Sequence, residues 1–230
     1  MNIIKNTGIA KKEENLHDIT KDLIMVLNRN GVEYNKVYMH STPLAEEQII
    51  KTLSGGDRTV GSCASVDLAY IGQKKGMNVL DFRGGESQSF FSSGLNLKSI
   101  ARLPNSGAIW AGAKSSLTTG NKLLKSVEPG KEYYLCVGRH AAIVRKTNEG
   151  VLQYLELQSE EYSGWIDFNG NPRYTLIKRF GCSSKGRGHM MEDFMLDVEK
   201  FEPTNDLREL LGYINTASDK QQKGVGGDAK

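Results

Sequence analysis

Three side chains far apart in this 230-residue chain have the types needed for acyl-transfer chemistry: Cys63 in "GSCASVDLAY", His140 at the head of "HAAIVRK", and Glu156 in "LQYLELQS". A thiol becomes a strong nucleophile when a base takes its proton, and an imidazole becomes a directed base when a carboxylate or amide fixes its tautomer. Each residue alone has an ordinary explanation. Free cysteine often serves as a small packing residue, histidine is intermediate in burial, and a cross-strand His–Glu pair on a surface contributes about 0.2–1 kcal/mol. Only their combination points to covalent chemistry.

The elements that must hold these residues can be read from spacing. Leu16, Ile19, Leu23, Ile24 and Leu27 recur at helical intervals, predicting a helix over 14–30. A short strand is expected over 36–39. Thr42 as N-cap, Pro43 at the first helical position and Glu46 and Glu47 in the first turn predict a second helix running to Leu53. The Gly-rich loop over 54–62 leads to a third helix, Cys63 to Lys75, stopped by Gly76. "MNVLDF" reads as a strand, the stretch over 83–96 as a loop with one helical turn, and 120–127 as a short helix. "EYYLCVGRHAAIVRK" reads as one strand that then turns at "TNEG", and a further turn is expected at 169–172. A last amphipathic helix is expected over 206–214. Helices first and antiparallel strands after make an α+β fold. A single domain over 1–215 is expected, with residues 1–13 flexible and 216–230 disordered because they have almost nothing to bury.

Two of the three chemical residues gain from this placement. Cys63 opens a helix whose unpaired N–H groups and dipole favour thiolate, which is expected to lower its pKa. If the turn sets Arg145 opposite Val151, the register brings His140 opposite Glu156 with about 5 Å between Cβ atoms. A slip of two residues would bring Gln158 there instead, and its amide can also orient a ring. Asp167 on the following strand is the fallback acid. Cys136 shares the strand parity of His140 and reads as packing.

Other classes are disfavoured. A net charge of +3, from scattered basic residues, gives no electrostatic footprint for nucleic acid. No apolar stretch approaches the roughly 18 residues of a membrane span, and "MNIIKNTGIAKKEENLHD" lacks a secretory pattern, so a cytoplasmic protein is expected. Cys63, Cys136 and Cys182 form no CxxC pair, and His17, His40 and His189 have no second ligand at metal spacing. Neither a metal nor a cofactor is expected. Gly55–Gly56 and Gly84–Gly85 belong to no phosphate-binding motif. Trp110 and Trp165 read as core or lip residues.

A thiol at a helix start, then a strand histidine, then an acid on the next strand is the order of papain-like cysteine enzymes. The blocks "GSCASVDLAY" and "HAAIVRKTNEGVLQYLELQS" resemble the two signature blocks of the papain-fold toxin family, which is similar to the bacterial protein glutaminases. The resemblance covers well under a quarter of the chain and implies a papain-like fold. It further implies Cys63 as nucleophile, His140 as general base and then acid, Glu156 as orienting carboxylate and Gln158 as supporting glutamine. The acid is Glu where that family more usually has Asp, and the nucleophile block has one cysteine where many members have two. For the oxyanion, the Cys63 N–H with Ser62 or Thr59 is the expected donor set. The implied activity is amide hydrolysis, either glutamine deamidation or peptide cleavage, on a protein or peptide substrate. A toxin or effector with an immunity or carrier protein is implied with it.

Three rival functions remain. A peptidoglycan amidopeptidase would use the same machinery on cell-wall fragments. An ADP-ribosyltransferase is suggested by the QxE pattern of Gln158 to Glu160 and would need NAD. An inactive binding or virion-associated structural protein would have an unreactive Cys63.

Overall fold

The architecture is known from a computed structural model that describes residues 16–54, 62–79, 85–158, 164–202 and 204–215. The segments 1–13 and 216–230, expected to be flexible and disordered, lie outside the described residues, as does Thr59. The fold is α+β. Among the described residues there are eight helices: α1 (Asp18–Arg29), α2 (Glu46–Leu53), α3 (Cys63–Lys74), α4 (Gly85–Phe91), α5 (Gly94–Ala101), α6 (Ser116–Lys125), α7 (Pro172–Lys178) and α8 (Asn205–Gly212). The strands are β1 (Tyr38–Met39), β2 (Met77–Asn78), β3 (Ala108–Ala113), β4 (Glu132–Val137), β5 (His140–Lys146), β6 (Leu152–Glu156), β7 (Gly164–Asp167) and β8 (Met191–Asp197). Strands β1 and β2 pair with each other. The other six form one antiparallel sheet in the order β3-β8-β4-β5-β6-β7.

Alternation along the strands divides the core in two, because successive side chains point to opposite faces. Tyr134, Ile143, Leu155, Phe194 and Leu196 face a layer containing α1, α3, α5 and α8. Tyr133, Leu135, Val144, Tyr154 and Met195 face α6 and α7. The sheet is thus covered on both sides, as layered packing requires when both faces are apolar. Helix α3 is buried from Ala64 through Gln73 and packs on β5 and α2. A helix apolar nearly all round belongs in a core, which fixes where its first residue, Cys63, emerges.

Several elements differ from the sequence expectation. Helix α1 starts at Asp18, with His17 as its N-cap: the His17 Nδ1 accepts from the Ile19 N–H at 3.2 Å. Helix α2 starts at Glu46 rather than after Thr42; Gln48 Oε1 reaches back to accept from the Ala45 N–H at 3.0 Å and supplies the cap that Thr42 was expected to give. The stretch over 83–96 contributes α4 and the start of α5 rather than one helical turn, and α6 begins at Ser116. The long strand is two strands, β4 and β5, folded at Gly138–Arg139. Gly138 has φ +67, and a Cβ there would lie 2.4 Å from the Phe180 carbonyl oxygen, so the turn depends on glycine. Arg139 N–H donates to that same carbonyl at 2.8 Å, pinning the hairpin tip to the segment after α7.

Candidate active site

The tip of the β4–β5 hairpin and the amino end of α3 meet at a cleft of about 290 Å³. Cys63 and Ala64 form one wall, Cys136 through Ala141 another, and Ser92, Gly94, Leu97 and Lys98 at the head of α5 a third. Arg187 and the β8 residues Met191, Asp193 and Phe194 complete it. Cys63 and His140, far apart in sequence, therefore open onto one space.

The thiol lies against the inner end of β5. Strands β5 and β6 pair Val144 with Tyr154, Arg145 with Gln153 and Lys146 with Leu152, and the pairing does not extend to Ala141. The Ala141 N–H, directed away from β4 by the hairpin geometry, points at the Cys63 sulfur instead, as does the Ala64 N–H. Both favour thiolate, and so does the Arg179 charge. Burial acts more strongly, and the Asp67 charge adds to it, so the Cys63 thiol is pushed above its ordinary value. This corrects the expectation from the helix start alone: desolvation exceeds the help of the N–H groups.

His140 pairs across the hairpin with Val137, and its ring packs edge-on against Phe180 at 5.2 Å between centroids. That is the pleat face of Ala142 and Val144, while Cys63 packs on the other core. Among the described residues no hydrogen bond reaches the ring, and none joins it to the thiol. Burial, assisted by the Arg179 charge, pushes the imidazole down to about 3. It is neutral at neutral pH.

Glu156 does not face His140. Thr147 N–H donates to the Val151 carbonyl at 2.9 Å and Gly150, with φ +87, closes a three-residue turn. Arg145 therefore pairs with Gln153, not Val151, and continuing this register puts Gln158 opposite His140. The strands are thus slipped by two residues from an Arg145–Val151 pairing, and their paired stretch ends at Val144, short of His140. The Glu156 carboxylate, 4% exposed, is instead clamped by Arg179: Nε donates to Oε2 at 2.7 Å and a terminal guanidinium nitrogen to Oε1 at 2.8 Å. Gln158 N–H donates to Oε1 at 3.0 Å, and Gln158 Nε2 donates to the Ser62 Oγ at 3.2 Å. Gln158 thus ties the segment after β6 to Ser62, the residue before Cys63, and the fully buried Ser62 hydroxyl is engaged by it.

Sequence reasoning missed Arg179, whose charge acts on Cys63, His140 and Glu156 alike. In "LIKRF" it is one of two adjacent cations, and no local signal separates it from Lys178. It also missed Asp193 on β8, buried at the cleft, hydrogen-bonded by the Thr119 hydroxyl and pushed up by burial. The fallback Asp167 is exposed and accepts from Gln153 Nε2 at 2.8 Å, away from the cleft. Cys136 lines the cleft with its thiol raised to about 12 by burial. His40 bonds Gln73 Oε1 at 2.7 Å, and His189 is exposed. Among the described residues no group of three or more His, Cys, Asp or Glu is placed to hold a metal, and no helix is long and apolar enough to cross a membrane.

A partly buried cysteine at the start of a core helix, open to a cleft it shares with a strand histidine, defines the site. Comparison with protein-family models, curated proteins and solved structures gives no match.

Proposed function

We infer that the chain is a cysteine-dependent amide hydrolase with a papain-like arrangement of helix and sheet. The observation that carries this reading is the meeting of Cys63 and His140 in one cleft, with the Ala141 N–H directed at the sulfur. In the resting site both groups are neutral, so the reaction starts from thiol and imidazole rather than from a preformed ion pair. The Cys63 sulfur attacks the amide carbon as its proton passes to His140. The C–N bond then breaks and the proton goes to the leaving nitrogen. Water attacks the thioester, the acid leaves and the thiol is restored. The Cys63 N–H, with the Ala141 N–H once the sulfur is bound to carbon, is assigned to the oxyanion, which replaces Ser62 with Ala141. Glu156 holds Arg179 in place, and the Arg179 charge adds to burial in disfavouring the protonated imidazole.

The experiment is incubation of wild type and Cys63→Ala with casein, reading ammonia release and new amino termini in parallel. Cys63-dependent ammonia marks a glutamine deamidase; Cys63-dependent amino termini mark a peptidase. Cell-wall fragments and NAD form separate arms for the amidopeptidase and ADP-ribosyltransferase alternatives. A second reading, an inert binding cleft, is favoured by one observation: no hydrogen bond joins thiol to imidazole. Absence of any Cys63-dependent product, together with absence of any NAD-dependent product, would select it.

A further inference from the structure

The cleft carries a charge pattern that the hydrolytic chemistry does not use. Lys98 on α5, Arg139 at the hairpin tip and Arg187 in the loop before β8 all line it, against one carboxylate, Asp193. They come from three separate elements, so no single helix periodicity explains their convergence. Among the described residues none of the three lies within ion-pair distance of a carboxylate, whereas Lys74, Arg145 and Arg179 are all paired. Asp193 acts on Lys98 and Arg187 only at longer range, and the Thr119 hydroxyl already occupies its carboxylate. The whole chain is nearly balanced at +3, which makes this concentration of positive charge local. Leu97, Met191 and Phe194 line the same space, and an apolar lining lowers the local dielectric and strengthens charge recognition.

We propose that the cleft selects acidic peptides, holding carboxylate side chains that flank the target amide with Lys98, Arg139 and Arg187. The assignment deepens the hydrolase reading and rests on it for the identity of the target amide. Guanidinium forks suit carboxylates bidentately, and Lys98 adds a point charge. The Arg187 backbone is tied beside α6, its N–H donating to the Lys114 carbonyl at 2.7 Å. Lys98 projects from α5, whose Leu97 and Ile100 are anchored in the core.

The test uses two fluorescein-labelled pentapeptides with a central Gln, flanked on both sides by Glu or by Lys. Binding to Cys63→Ala is followed by anisotropy at 20 and 150 mM NaCl, so the readout does not require turnover. The Glu peptide is expected to bind at least ten-fold more tightly than the Lys peptide, with the difference shrinking at higher salt. Lys98→Met with Arg187→Met should erase it, and Lys98→Glu with Arg187→Glu should invert it. Both pairs lie outside the buried core, and circular dichroism confirms that each variant is folded. Equal binding of the two peptides, or a ranking unchanged by charge reversal, overturns the proposal even if wild type hydrolyses amides. A retained preference without Cys63-dependent turnover supports the proposal and removes the hydrolase reading.

Discussion

His140 and Arg179 make the residue-scale account measurable. A histidine held near 3 in the fold and near 6.5 when unfolded stabilises the protein above pH 6.5, and that stability is lost as pH falls toward 3, because only the unfolded chain then takes up the proton. Urea denaturation at pH 7.5 and 5.5 should show wild type losing at most about 1.4 kcal/mol per pH unit below 6.5 from this source. His140→Gln should remove that part of the pH dependence. Arg179→Met leaves the Glu156 carboxylate buried without its partner, which is expected to cost about 3–5 kcal/mol, read from the same denaturation experiment. Adding Glu156→Leu should recover most of it, since an apolar pair of similar volume replaces a buried ion pair with little loss. In the double variant the His140 pKa, followed by NMR, should rise, because the Arg179 charge that lowers it is gone.

At the scale of elements, the hairpin tip is the piece that brings His140 to the cleft lined by Cys63. Gly138→Ala forces a left-handed residue and a Cβ into the Phe180 carbonyl; a loss of at least about 1 kcal/mol is expected. Activity should fall further than stability explains, because His140 follows two residues later. Calorimetry alongside amide turnover checks both. This hairpin also marks the limit of what the sequence made legible. The start of α3 at Cys63 and its end before Gly76 follow from helix periodicity and a glycine stop, and the last helix follows from its apolar spacing. The break at Gly138–Arg139 lies inside an apolar run with no Asn-Gly signal. The register of β5 and β6 depends on whether the turn uses three residues or five, which "TNEG" leaves open. Strand β8 lies one strand in from the sheet edge, and Glu192, Asp193 and Asp197 break its apolar pattern and hide it, yet it supplies Asp193 to the cleft. The Arg179 clamp arises from tertiary packing alone.

For the whole molecule, the two cores are what make the site. One holds α3 rigidly so that Cys63 emerges at a fixed point; the other, through Phe180 and α7, holds His140 and Arg179. The cleft lies where the two meet around the open end of β5. In the proposed reaction Cys63 forms a covalent acyl intermediate while His140 moves the proton. The direct measurement is intact-protein mass spectrometry, acid-quenched seconds after mixing with glutamyl p-nitroanilides acylated through either carboxyl. The account predicts p-nitroaniline release with a glutamyl adduct mapped to Cys63, absent in Cys63→Ala. In His140→Ala, formation of the adduct should slow by about 10²-fold or more, as expected on loss of a general base. An adduct on Cys136 or Cys182, or no adduct with wild type, would contradict it.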